Sequence, residues 1–299
     1  MHYTAYQLSI RSDIALPELL SDGADQVATA DVDIRLAKVA AGGLADGQQL
    51  GPFLWADRQS LWLQVPRVAR FLVQGGHTIL IDPEPGIDED SLRVFLLGSA
   101  LGALLFQRGH LVLHGNAVRI GGQCMVCVGP SGAGKSTLAT GLMQRGHDIL
   151  ADDVVPVNAA CHALPGFPRI KLWQDMAERL HIDTARLCRI RPGSEKFSLP
   201  VARPAGLSAL PIRWIYILGS DQGDSVRLEP VDGLQRFRPL HDNTYRVRFL
   251  EGMALKAEHL QLCGRLAGRI RLARVTRPKG RFDLDALIDP LLADMAAHP

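Results

Sequence analysis

The sequence has few of the features that place a protein in a membrane or outside the cell. Its longest apolar run, residues 94–106, has 13 residues and is too short to span a bilayer. The first six residues have neither the basic start nor the apolar core of a signal peptide. With a mean hydropathy of +0.06, the chain is expected to be cytoplasmic and to have no membrane partner.

Cysteine is also scarce. Five cysteines is an odd number, and without a secretory context no disulfide framework is expected. Cys124 and Cys127 have C-x-x-C spacing, but no second Cys/His pair stands at a zinc-finger spacing. An offset of three puts the two side chains on opposite faces of a strand, so both are interpreted as core residues.

Charge is balanced overall but unevenly distributed. Residues 1–100 carry 13 acidic and 7 basic side chains, whereas residues 101–299 carry 18 acidic and 26 basic ones. No nucleic-acid motif accompanies the basic residues, so no nucleic-acid partner is expected. We interpret them as contacts for the phosphates of ATP or for an acidic peptide, and we expect the C-terminal cluster to serve acceptor recognition. A solvated basic face is the alternative. The two basic clusters are Arg236, Arg238, Arg246 and Arg248, and then Arg265, Arg269, Arg271, Arg274, Arg277, Lys279 and Arg281.

One segment fits the pattern G-x-x-x-x-G-K-[S/T] without a gap or substitution. An apolar, β-branched run precedes it and a run with helical spacing follows, which is the strand–loop–helix context of a phosphate-binding loop. The glycines let backbone N–H groups surround phosphate oxygens, while the lysine reaches the β- and γ-phosphates and the serine holds Mg²⁺. The predicted ATP-binding residues are Gly129, Pro130, Ser131, Gly132, Ala133, Gly134, Lys135, Ser136 and Thr137.

Two adjacent carboxylates, Asp152 and Asp153, follow in the next apolar strand pattern, after a helix that is expected to end at Gly146. Because side chains alternate on a strand, we expect them to point to opposite faces, with only one facing a phosphate directly. A buried, unpaired carboxylate is unfavourable, so a metal, a cation or a substrate proton is the expected partner. The alternative is that both lie in solvent or pair with arginines.

A third element, His114 and Gly115, interrupts the strand pattern that precedes the loop. The glycine indicates a close approach of another backbone, and His114 shares a face with Asn116. Taken alone, His114 would be interpreted as a core histidine. Its proximity in sequence to the loop and the carboxylates makes it a candidate site residue.

In order and in spacing, these three elements resemble the catalytic domain of HPr kinase/phosphorylase. His114 stands 21 residues before Lys135, and Asp153 stands 18 residues after it, as in that family. The resemblance covers about residues 105–160. It implies a fold related to that of phosphoenolpyruvate carboxykinases and a serine of a small carrier protein as phosphate acceptor.

The resemblance also implies roles for individual residues. Lys135 and Ser136 would bind the phosphates and Mg²⁺, and Asp153 would accept the proton of the target hydroxyl. His114 would help to order the site. Apart from the resemblance, we expect Asp152 to hold the metal together with Ser136. The predicted catalytic residues are therefore Asp153, Lys135 and His114, and the predicted metal ligands are Ser136 and Asp152.

The segment after the carboxylates departs from that family. Between Pro165 and Trp173 there is no counterpart of the glutamate that supplies a further metal ligand. The later segment tied to phosphorolysis has no counterpart either, so the reverse reaction is not expected. The sequence that replaces these two segments resembles HPr-kinase-like proteins of bacterial peptide modification pathways. Some of those proteins phosphorylate a serine of a precursor peptide. Arg169 and Lys171 are candidate phosphate or acceptor contacts.

These features favour a Mg²⁺·ATP-dependent serine kinase whose acceptor is a peptide or a small protein such as HPr. A small-molecule P-loop kinase and a nucleotide-gated binding module with little catalysis are the alternatives. The Asp153 carboxylate counts against the binding module. The choice between ATP and GTP, and between a monomer and a homo-oligomer, is left open.

The expected fold class is α/β, with an HPr-kinase/PEP-carboxykinase-like P-loop catalytic domain over residues 89–299. Short strand patterns separated by Gly-, Asp- and Pro-rich turns predict a smaller β-rich N-terminal domain over residues 1–88, with a role in substrate recognition. Asp88 or Asp90 is expected to cap the helix that follows. Single elements are predicted at 3–10 (a strand), 251–267 (a helix) and 284–295 (a terminal helix).

Overall fold

The computed structural model describes residues 1–21, 29–201, 205–280 and 283–299. Within these ranges the fold is mixed α/β, with three sheets and eight α-helices. The strands are β1 (His2–Ala5), β2 (Leu8–Ser12), β3 (Leu20–Ser21), β4 (Val32–Leu36), β5 (Gln48–Gly51), β6 (Leu54–Ala56), β7 (Ser60–Val65), β8 (Ala69–Gln74), β9 (Thr78–Pro83), β10 (Leu111–Ile120), β11 (Gln123–Val128), β12 (Asp148–Val157), β13 (His162–Ala163), β14 (Arg169–Trp173), β15 (Cys188–Arg189), β16 (Lys196–Pro200), β17 (Leu210–Asp221), β18 (Arg227–Pro230) and β19 (Arg271–Pro278). The α-helices are α1 (Glu89–Phe95), α2 (Leu101–Gln107), α3 (Lys135–Gln144), α4 (Gln174–Arg179), α5 (Phe237–Asp242), α6 (Arg248–Gly252), α7 (Lys256–Ala267) and α8 (Leu284–Ala297).

The first sheet contains nine strands in the order β3-β1-β2-β4-β9-β8-β7-β6-β5. Burial alternates along β8, as expected for a sheet with one face against a core. The prediction of one strand over residues 3–10 is wrong, because Tyr6 and Gln7 form a turn with φ of 54° and 62°. Neither residue is a turn former, so nothing in the local sequence indicated the break.

A continuous helical segment follows the first sheet. Asp88 caps it, as predicted, by accepting a hydrogen bond from the Ser91 backbone N–H at 2.7 Å. A π-helical stretch, Leu96–Ala100, joins α1 to α2. Its residues are buried, and so are residues 101–106 of α2. One hydrophobic cluster includes residues of the first sheet, of this helical segment and of α6. The predicted division into domains at residue 88 therefore crosses a shared core, and it stays a prediction.

The second sheet has seven strands in the order β11-β10-β12-β13-β17-β19-β18, and β11 also pairs with β17. The parallel pairs β11–β17 and β17–β19 lie at its centre. Helices α3 and α8 pack on one face, and α5 and α7 on the other. The third sheet, β14-β16-β15, lies beside β12 and α3. This arrangement brings the loop before α3 close to β12 and β14.

Two further sequence predictions concern elements near these sheets. The helix predicted over residues 251–267 is divided into α6 and α7, because Ala254 adopts φ of 53°. Cys124 and Cys127 are buried on opposite faces of β11, as predicted for core residues, and burial raises the pKa of both thiols. In the described part of the chain, no helix has the length and apolar character needed to cross a membrane.

Candidate active site

The loop between β11 and α3 lies against the backbone of β17 at Leu218. Gly129 adopts φ of 144°, and a Cβ atom there would lie 2.4 Å from the Leu218 carbonyl oxygen, so no other residue type fits. Gly134, at the N-terminus of α3, has φ of 102°. The loop therefore presents the free backbone N–H groups of a helix N-terminus, which attract anions.

Lys135 begins α3 and folds over the loop. Its Nζ atom donates hydrogen bonds to the carbonyl oxygens of Gly129 at 2.8 Å and of Pro130 at 3.0 Å. Partial burial lowers the pKa of Lys135, while nearby acidic groups act in the opposite direction. The ammonium group is thus held at the mouth of the loop, where an anion would meet it.

Asp152 lies on β12, directly beside α3, and is buried. Its carboxylate accepts hydrogen bonds from the Asn116 side-chain amide, from the Lys171 backbone N–H at 2.6 Å and from the Ser136 hydroxyl at 3.5 Å. Burial, and then the charge of Asp153, raise the pKa of Asp152 to about 6. Burial and a neighbouring carboxylate thus disfavour the ionised form of Asp152, and a nearby cation would stabilise that form.

Asp153 points into the same space as Asp152. The prediction that only one of the two carboxylates faces the phosphate site is wrong, because both line one cavity. The physical reason is the backbone of Asp153, whose φ of 70° breaks the alternation of side chains on β12. Such a conformation is unfavourable for aspartate by about 1–3 kcal/mol and is typical of functional sites.

Lys171, on β14, pairs with Asp153. Its Nζ atom lies 2.8 Å from Asp153 Oδ2, while His114 Nδ1 lies 3.3 Å from Oδ1. Burial acts to raise the pKa of Asp153, but the charge of Lys171 and the hydrogen bonds from His114 and Lys171 outweigh it and hold the pKa well below its usual range. Asp153 is therefore ionised at neutral pH, in contact with a cation.

His114 lies on β10 opposite the carboxylates. Its neighbour Gly115 permits the close backbone approach that was predicted, since a Cβ atom there would lie 2.3 Å from the Cys127 carbonyl oxygen. His114 and Asn116 face the same cavity, again as predicted. The His114 ring also contacts the Asp153 carbonyl oxygen, at 3.1 Å from Nδ1.

Arg277, at the end of β19, contacts the loop from the other side. Its Nε atom donates to the Ala133 carbonyl oxygen at 3.1 Å. Arg277 of the C-terminal basic cluster therefore lies at the loop, and the role of the cluster in acceptor recognition stays a prediction. Arg271 is bound to Asp294, at 2.6 Å, whereas Arg274 is exposed. Arg281 lies outside the described residues.

The loop and both carboxylates line one cavity of about 900 Å³. This volume is near the upper end of the roughly 300–1,000 Å³ that is usual for ligand pockets, and it suits a nucleotide. Lys196 of β16 also lines it and was not singled out in the sequence. The cavity collects these predicted site residues: His114, Ser131, Gly132, Gly134, Lys135, Ser136, Thr137, Asp152 and Asp153.

The oxygen atoms in this cavity fit a magnesium ion. Ser136 Oγ and Asp152 Oδ1 lie 3.5 Å apart, and Mg²⁺ prefers hydroxyl and carboxylate oxygens together with substrate phosphates and water. Among the described residues, no three His, Cys, Asp or Glu side chains form a cluster that could hold a metal by themselves. The chain would therefore share the coordination of the ion with a bound nucleotide.

Residues 108–178, which include β10, the loop and both carboxylates, match the family described as HPr Serine kinase C-terminal domain. This segment is HPr-kinase-like. The HPr kinase/phosphorylase of Lactobacillus acidophilus is 45% identical over 62 residues, which are 21% of this chain and 19% of that protein. The HPr kinase/phosphorylase of Chlorobium phaeobacteroides is 47% identical over 45 residues, which are 15% and 13% of the two chains.

The chain thus spans less than a fifth of the length of either of these relatives. The solved structure of the Hpr(Ser) kinase/phosphatase from Coxiella burnetii aligns with 62% of this chain and 90% of its own, at 14% identity and a TM-score of 0.26. The predicted resemblance is confirmed by the family match and the relatives. The matched HPr-kinase-like segment contains His114, Lys135, Ser136, Asp152 and Asp153.

Proposed function

We propose that this protein is a Mg²⁺·ATP-dependent kinase that transfers the γ-phosphoryl group to a serine hydroxyl of a small protein or peptide. One observation carries the proposal: a single cavity holds a phosphate-type loop with Lys135 and Ser136 together with the carboxylates of Asp152 and Asp153. The names of the similar proteins make HPr the first acceptor to test.

On the nucleotide side, the loop amides and Lys135 would neutralise the charge that spreads over the γ-phosphate oxygens. Lys135 must exchange its two carbonyl partners for phosphate oxygens when ATP binds. Ser136 and Asp152 would hold Mg²⁺, which supplies charge neutralisation between the β- and γ-phosphates. Arg277 would keep the loop in shape through the Ala133 carbonyl group.

On the acceptor side, Asp153 would receive the proton of the hydroxyl group as its oxygen attacks phosphorus. Phosphoryl transfer passes through a loose transition state, so a strong base is not required. What Asp153 provides is an ionised carboxylate in a fixed position between Lys171 and His114. Positioning and charge neutralisation would then account for most of the rate.

Lys135→Ala tests this proposal directly. Wild-type protein is incubated with radiolabelled ATP and Mg²⁺, with HPr, serine peptides and small alcohols as candidate acceptors. We expect Lys135→Ala to lose at least about 100-fold in transfer, the usual effect of removing a group that stabilises transition-state charge. The exposed Lys256, which pairs with Glu251 on the surface, provides the matched control Lys256→Ala.

Full transfer by Lys135→Ala would show that the loop does not serve a nucleoside triphosphate. Labelling of a small alcohol in place of HPr and the peptides would instead favour the small-molecule kinase. ATP binding without transfer to any acceptor would favour the nucleotide-gated binding module.

A further inference from the structure

A second cavity, of about 440 Å³, adjoins the phosphate-loop cavity. His114, Asp153 and Lys171 line both cavities, so the two spaces meet at the ionised carboxylate. The rest of the wall comes from elements that are distant along the chain. The helical segment contributes Val94 and Gly98, the loop contributes Gly129, and the end of α5 with the turn after it contributes Asp242, Tyr245 and Arg246.

Hydrogen bonds hold the turn after α5 in place. The His114 backbone N–H donates to the Asn243 carbonyl oxygen at 2.8 Å, and the Tyr245 N–H donates to the Val112 carbonyl oxygen at 2.8 Å. Thr244 Oγ1 lies 2.8 Å from Nε2 of the buried His259. Hydrogen bonds within the chain thus fix this wall of the second cavity.

The opposite wall is the junction between α1 and α2. Tyr245 packs against it so closely that a Cβ atom on Gly102 would lie 2.9 Å from Tyr245 Cε1, and one on Gly98 would lie 3.0 Å from its hydroxyl oxygen. Gly98 belongs to the π-helical stretch, a type of irregularity that is common at functional sites. The N-terminal part of the chain therefore helps to form a space that opens onto Asp153.

The charges of the second cavity cancel. Asp153 and Asp242 contribute two negative charges, and Lys171 and Arg246 contribute two positive ones. The Arg246 guanidinium also lies over the Tyr245 ring, with its carbon 5.6 Å from the ring centroid. A polar group without net charge suits this lining better than a second polyphosphate.

We infer that the second cavity binds the acceptor, in the form of one serine unit whose hydroxyl group reaches Asp153. The inference rests on the proposed kinase function and adds to it the place at which the acceptor binds. In the transfer, the serine oxygen forms a bond to the γ-phosphorus, the bond from that phosphorus to ADP breaks, and the hydroxyl proton passes to Asp153. A volume at the small end of the ligand-pocket range admits an amino-acid-sized unit but no folded surface.

Two variants test the second cavity without touching the loop. Val94→Trp fills it from the helical segment, and Arg246→Glu reverses a charge at its exposed rim. Arg119→Glu, which changes an exposed arginine of β10 outside both cavities in the same way, is the control. The assays are ATP titration calorimetry and transfer from radiolabelled ATP to L-serine, N-acetyl-serine amide and HPr.

In both variants we expect kcat/KM for the acceptor that the wild type phosphorylates to fall at least tenfold. The Kd for ATP should stay within twofold of wild type. The control variant should match wild type in both measurements. Wild-type transfer to N-acetyl-serine amide or HPr alone identifies a serine within a chain. Transfer to L-serine alone supports the second cavity as the acceptor site but overturns the protein or peptide acceptor of the proposed function in favour of the small-molecule kinase. If Arg246→Glu and a folded Val94→Trp both transfer at the wild-type rate, the inference is overturned while the kinase proposal stands. A wild-type protein that binds no ATP or labels no acceptor overturns the kinase proposal itself.

Discussion

At the scale of single residues, the two adjacent carboxylates differ most in their partners. Asp152 is buried among hydrogen-bond donors beside Ser136, while Asp153 is paired with Lys171 and His114. We therefore expect Asp153→Asn to lose turnover but keep ATP binding, and Asp152→Asn to require a higher Mg²⁺ concentration for half-maximal activity. Turnover measured across a Mg²⁺ series, together with calorimetric ATP titration, checks both. Identical behaviour of the two variants would refute the division of roles.

Lys171 helps to keep Asp153 ionised, and this predicts how turnover depends on pH when Lys171 is replaced. The charge of Lys171 lowers the pKa of Asp153, so Lys171→Met should raise that pKa towards the usual range of a carboxyl group. Because the ionised form is required, the variant should lose kcat at acidic pH values where wild type stays active. Lys171→Arg, which keeps the charge, should retain most of the wild-type profile. The measurement is kcat against pH, and superimposable profiles for Lys171→Met and wild type would contradict the prediction.

The sequence supplied the chemistry of the site better than its geometry. The loop, His114 and both carboxylates are each visible in a short stretch of sequence, and residues of all three line one cavity. The pairing of Lys171 with Asp153 depends on how β14 docks beside β12, which no local pattern specifies. The left-handed backbone of Asp153 is likewise set by the surrounding sheet, since aspartate in an apolar strand pattern predicts an extended conformation.

At the scale of elements, β19 carries arginines with different surroundings. Arg277 supports the loop, whereas Arg274 is exposed. Hydrogen bonds that involve a charged group contribute about 1.5–3 kcal/mol, so Arg277→Ala should weaken ATP binding by about tenfold or more. Arg274→Ala, three residues away on the same strand, should leave the Kd for ATP unchanged. Calorimetric titration with ATP tests this prediction. Equal Kd values for the two variants would show that Arg277 does not contribute to nucleotide binding.

Element boundaries followed the sequence where glycine, proline or a capping residue marks them. Asp88 caps α1 and Gly146 follows the end of α3, both as expected. The turn at Tyr6 and Gln7 carries no such mark, since both residues fit a strand. Ala254 is itself a helix former, and only Gly252, at the end of α6, indicates the break near it. Packing against other elements determines their conformation, and that information is not local.

At the scale of the whole molecule, the first sheet and the helical segment share one hydrophobic cluster with α6. Removing residues 1–88 would expose the buried faces of α1 and α2 and of residues such as Phe249 and Met253. We expect the fragment 89–299 to lack a cooperative thermal transition, followed by circular dichroism, under conditions in which the full chain shows one. Cooperative unfolding of that fragment would support the predicted boundary at residue 88 as a true domain boundary.

The two contacts of Lys171 also bear on how such a site can change during evolution. Its backbone N–H holds Asp152, and every residue type except proline supplies that group, whereas its ammonium group holds Asp153, and few residue types supply that charge. A single substitution at this position therefore alters the partner of Asp153, the proposed proton acceptor, and leaves the backbone anchor of Asp152 intact. Under the proposed mechanism, mutations of this one codon would change the proton-transfer side of the site and spare the anchor of the metal-side carboxylate.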